Sequence, residues 1–174
     1  MLTFTALNGG GVRLTGGEKS IVVFPEAGMA KEKDGIVFFS TPQEDPEFST
    51  VSWPGEYSLG GLAIRGIGHV EGRQVSYVVK ADGIRVAFLS TPLQDWTDKQ
   101  LEMVGDIDVL VLPADEVKLL QKLVDEFDPR VLLLLPGADL QEAMKTSGAK
   151  ETVSEYKIKG SLPMEGREVM VLSR

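Results

Sequence analysis

The chain has 174 residues, 43% apolar and 25% charged, enough for one domain with a sizeable core and too ordered in composition for a disordered segment. With no cysteine it has no disulfide, no thiolate nucleophile and no thiolate metal site. Its net charge of −8, unbroken by any basic cluster, disfavours nucleic acid and anionic membrane surfaces as partners.

The opening segment Leu2-Thr3-Phe4-Thr5-Ala6-Leu7 alternates apolar and polar residues and reads as a half-buried strand. The glycines after Asn8 turn the chain, and residues 12–24 read as strand, Gly-Gly turn, strand, ended by Pro25. The 31–34 run, Lys-Glu-Lys-Asp, is mixed in sign. Ile36-Val37-Phe38-Phe39 is a short apolar strand that breaks into a polar, proline-bounded loop from Ser40 to Pro46. Loops past the ends of buried strands are where α/β folds place their chemistry. Gly60-Gly61 then punctuates two short strands. The next hairpin is the clearest, with Val75, Tyr77 and Val79 alternating before Asp82-Gly83 and Ile84, Val86 and Phe88 after it.

The second half changes period. Thr97 is placed to cap a short helix that stops at Gly105. An apolar strand follows from Val109, then a helix with Val117, Leu120, Leu123, Val124 and Phe127 on one stripe. Val131 to Leu135 is a fully buried strand, a helix ends at Gly148, and the tail from Val153 reads as a closing hairpin. Two sheets with helices outside would cover all these apolar strands. No run is long enough to span a bilayer and the first residues lack the pattern of a signal peptide, so a cytoplasmic location is expected.

Pro54-Gly55-Glu56-Tyr57, Ile64-Arg65-Gly66-Ile67, Thr97-Asp98-Lys99-Gln100-Leu101 and Gly105-Asp106-Ile107-Asp108-Val109-Leu110 occur in an order and spacing that resembles a known group. It is the small, ascorbate-6-phosphate lactonase-like branch of the metallo-β-lactamase-fold hydrolases. The resemblance implies an α/β chain, a four-layer αβ/βα sandwich in a small single-domain version over residues 1–174. In that family a His-x-His-x-Asp-His run, a Gly-Asp after the hairpin and a late Pro-x-His bind one or two zinc ions. A metal-bound water then attacks the substrate carbonyl.

Matched onto this sequence, the run falls on Thr41-Pro42-Gln43-Glu44-Asp45-Pro46, the Gly-Asp on Ser90-Thr91 and the late histidine on Pro136. An aspartate that usually precedes the proline in the second hairpin is Phe24. Composition leads to the same place independently, because one histidine and no cysteine cannot supply a zinc hydrolase site. The expected former-site cleft is lined by Thr41, Gln43, Asp45, His69, Thr91 and Pro136, with no catalytic residue, metal or cofactor. Asp45 reads first as a turn carboxylate and only second as a general base; His69 reads first as a structural histidine. Trp53 and Trp96 flank the site loops and offer an apolar platform or core.

The leading expectation is a non-catalytic protein that binds a small ligand or protein, or serves assembly. The competing one is a metal-dependent hydrolase of lactones, esters or phosphodiesters with a rebuilt site. That site would draw on Glu44, Asp45, Asp95 or Asp98 with His69 around magnesium or manganese.

Overall fold

The computed structural model describes all residues except 9, 27, 30–34, 47 and 48, so the mixed-charge run at 31–34 lies outside the described residues. The chain forms two sheets. Sheet one contains β1 (Leu2–Ala6), β2 (Val12–Gly16), β3 (Lys19–Val23), β4 (Ile36–Phe38) and β5 (Ser49–Val51). Sheet two begins with β6 (Gly55–Leu59), β7 (Leu62–His69), β8 (Gln74–Ala81) and β9 (Ile84–Phe88). It continues after α1 (Asp98–Val104) with β10 (Val109–Pro113), after α2 (Val117–Phe127) with β11 (Val131–Leu135), and after α3 (Leu140–Ser147) with the tail.

The tail corrects one expectation. It supplies β12 (Thr152–Val153), β13 (Glu155–Ile158) and β14 (Glu168–Leu172), and these do not form a hairpin. β13 pairs antiparallel with β1 at the edge of sheet one, whereas β14 pairs parallel with β11 in sheet two. Each strand finds an open edge with apolar partners. A hairpin would have left Ile158 and Val171, both buried here, on one exposed ribbon. The strand orders are β13-β1-β2-β3-β4-β5 and β12-β14-β11-β10-β9-β8-β7-β6.

The sheets face each other across one core. Leu2, Phe4 and Ala6 of β1 point into it, while Thr3 and Thr5 alternate outward, as the period of two requires. A second core lies between the other face of sheet two and the helices. There Leu110, Leu112, Leu132 and Leu134 meet Leu120, Leu123, Val124 and Phe127 of α2. β10 and β11 are therefore covered on both faces, the reason their sequences carry no alternating polar set. Among the described residues all three helices occupy this single outer layer, because only the second half carries helical periodicity.

Thr97 caps α1 as its position predicts. Its Oγ1 accepts from the Gln100 backbone at 3.2 Å, and the Gln100 side chain accepts from the Thr97 backbone at 2.9 Å. No helix among the described residues is long and apolar enough to cross a membrane.

Candidate functional site

β9, β10, β11 and β14 run parallel, so their C-terminal ends share one edge of sheet two. The loops leaving those ends, together with the turn before β2 and the segment after β3, enclose a cleft of about 680 Å³. Phe24, Ser40, Thr91, Leu135, Pro136 and Leu172 are among its walls. This is the edge at which open α/β sheets bind ligands, since strand ends leave a crevice that the next loops decorate.

Of the residues expected there, Thr91 and Pro136 line the cleft. The 41–46 loop enters it through Ser40, and Thr41, Gln43 and Asp45 lie on the outer part of that loop without lining the cleft. The loop is anchored from within. Tyr77, fully buried, donates its hydroxyl to the carbonyls of Phe39 at 2.7 Å and Val51 at 3.0 Å. The Val75 backbone donates to Ser40 O at 2.8 Å, and the Gln43 backbone donates to Ser52 Oγ at 3.0 Å. Asp45 and Glu44 are exposed.

His69 does not join the cleft. It stands at the same sheet edge but on the helix side, 5% exposed. Its Nε2 is 3.1 Å from Ser76 Oγ, which lies 3.2 Å from Ser90 Oγ, and Gln74 Nε2 donates to Ser90 Oγ at 2.8 Å. The Trp96 ring stands edge-on to the imidazole at 4.9 Å and to Phe127 at 5.1 Å. Burial without an opposite charge pushes the His69 pKa down to about 4, so the ring is neutral. Its contacts are those of a satisfied core histidine.

The carboxylates weighed for a rebuilt site also stand apart. Asp95 pairs with Lys122 of α2 at 2.7 Å, and the hydrogen bond from Lys122 holds its carboxyl below the usual range. Asp98 opens α1. Among the described residues, no group of three or more His, Asp or Glu side chains is arranged to hold a metal ion.

Two residues of this sheet edge, Asp115 at the cleft and Ser76 beneath His69, carried no motif. Asp115, just beyond β10, accepts from Thr91 Oγ1 at 2.6 Å and from the Leu93 backbone at 3.2 Å, closing the loop after β9. Its place past the end of a buried strand was the available signal. Ser76 is the small polar residue within the buried stretch Val75–Val79 of β8.

A family model described as the β-lactamase superfamily domain matches residues 39–164. Among solved structures, a candidate zinc-dependent hydrolase of the metallo-β-lactamase superfamily from Thermotoga maritima is similar at TM-score 0.79 and 21% identity, over 99% of each chain. The metallo-β-lactamase fold protein YhfI from Bacillus subtilis follows at TM-score 0.65 and 10% identity, over 99% of this chain and 97% of that one. Igni18, a metallo hydrolase from Ignicoccus hospitalis, is similar at TM-score 0.57 and 13% identity, over 91% and 99%. At these identities the likeness is one of fold. No curated protein sequence matches the chain.

Proposed function

The chain belongs to the β-lactamase superfamily, and from its metallo-β-lactamase fold we propose a non-catalytic member of the small lactonase-like branch, one that has lost its zinc site and binds a small ligand or protein partner at the strand-end cleft. The observation that carries this reading is the donor chemistry at the cleft. Zinc sites take three or four strong nitrogen, sulfur or carboxylate ligands. The former ligand positions here present the Thr91 hydroxyl, already donated to Asp115, and Pro136, which has no side-chain donor. The single histidine is buried against Ser76 and Trp96. These residues do not fit zinc, and no hydrolytic step through it is derived.

What the cleft retains is the ability to bind. Leu135, Leu172 and Phe24 form walls from which a ligand displaces water, while Ser40 and Thr91 contribute neutral hydroxyls. Fold and chemistry separate cleanly in such a case, because the cores between the sheets and beneath the helices contain none of the lost ligand positions.

The test is a screen of ester, lactone and phosphodiester substrates with protein supplied in turn with zinc, manganese and magnesium. The proposal expects no turnover above the metal-only controls. Turnover that disappears on Asp45→Ala would instead establish a hydrolase with a rebuilt, carboxylate-rich site.

A further inference from the structure

Phe24 sits in the left-handed backbone region, with φ of 53°. Bulky side chains rarely adopt that conformation, and a residue held there marks a place where surrounding structure imposes strain. The four other described non-glycine residues with positive φ are Val70 and Glu71 in the β7–β8 turn, Asp82 in a hairpin turn and Asp128 at the C-cap of α2. Phe24 alone of the five lines the cleft.

Three contacts hold it. Its N–H donates to Phe38 O at 2.9 Å, and its ring lies 5.9 Å from that of Tyr77. Gly11, at φ 88°, lies so close that an added Cβ would stand 2.8 Å from the Phe24 and Val23 carbonyl oxygens. The strained residue is thus clamped between the turn before β2 and the end of β4. A glycine would occupy the same backbone at lower cost. What phenylalanine adds is a half-buried ring that packs on the edge of the inter-sheet core beside Tyr77 and turns its remaining surface to the cleft.

The remaining walls define what that ring meets. Among the described residues Leu89, Leu135, Pro136 and Leu172 are apolar, and the charged lining side chains are Glu26 and Arg174, one of each sign. Among these residues apolar surface is what a ligand mainly meets. The volume of about 680 Å³ falls within the range of small-molecule sites. Resting on the reading of the cleft as a binding site, we infer that it takes a neutral, predominantly apolar small molecule whose body lies against Phe24, the residue that determines its specificity.

The probe is N-phenyl-1-naphthylamine, neutral and fluorescent in apolar surroundings, titrated into the native protein. Saturable one-to-one binding is expected. Phe24→Gly relieves the backbone but loses the ring's packing beside Tyr77, so it lowers the thermal midpoint while the protein remains folded, and it weakens the probe by about tenfold or more. Pro136→Trp, which narrows the cleft from a separate exposed loop, weakens it comparably and serves as the test if Phe24→Gly does not fold. Met164→Ala, at a distant side chain 87% exposed, leaves the titration unchanged.

Absence of saturable binding overturns the inference. So does binding that survives Pro136→Trp, or that Met164→Ala weakens equally. Zinc titration and the hydrolase screen on the same samples separate the two readings. Turnover would sink the non-catalytic reading alone, whereas silence in both the screen and the probe titration would sink this inference alone.

Discussion

Acidification isolates the burial of His69, because the chain contains no other histidine. In the unfolded chain an imidazole takes up a proton below its ordinary value of about 6.5. In the folded protein burial delays that uptake until about pH 4. Between those values the unfolded state binds more protons, so stability is fully present above the upper value and falls as pH drops toward the lower one. At about 1.4 kcal/mol per pKa unit the complete effect is about 3 kcal/mol. Lowering the pH from about 7 to about 5 removes about 2 kcal/mol of it. Carboxylates also titrate in this range, so the readout is a difference, with urea unfolding at both pH values for the native protein and for His69→Gln. The native protein should lose about 2 kcal/mol more than the variant. Equal losses, or an imidazole proton signal that titrates by NMR near its ordinary value, would refute the reasoning and return His69 to the set of accessible ligands.

Three substitutions test the scaffold of the cleft. Asp115→Ala leaves the Leu93 N–H and the Thr91 hydroxyl without their acceptor and should cost about 1–3 kcal/mol in chemical unfolding, with no change to the fold. Tyr77→Phe removes the donor shared by the Phe39 and Val51 carbonyls and should cost about 1–2 kcal/mol. It should also speed amide exchange in the 40–46 loop. Gly137→Ala would place a Cβ 2.4 Å from the Ala114 backbone. The Pro136 loop must then shift, and a fall in thermal midpoint reflecting about 1–3 kcal/mol is expected.

Much of the architecture was readable because its elements are locally consistent. The uniformly apolar Val109–Pro113 and Val131–Leu135 strands required cover on both faces, and α1 carried its own capping box. The tail was misread because strand period gives no information on which edge a strand joins. Two strands close in sequence suggest a hairpin, yet β13 and β14 met the open edges of different sheets. Thr91 and Pro136 line the cleft because each follows the end of a parallel strand, β9 and β11, and those strand ends were readable in the apolar runs before them. His69 stands at the same edge but on the helix side, the face it shares with Ile67 two residues earlier in β7, so the alternation of that strand carried the signal. Asp115 and Phe24 act through a side-chain hydrogen bond and a positive φ, and neither leaves a periodic trace in sequence.

The central claim is that the former metal positions no longer hold zinc. Titration of zinc into the metal-free protein, followed by calorimetry, measures this directly. With Thr91 engaged by Asp115, Pro136 lacking a donor and His69 buried beneath Trp96, the account predicts no stoichiometric binding on the micromolar scale. One-to-one binding at that scale, lost on Asp45→Ala or His69→Ala, would contradict it.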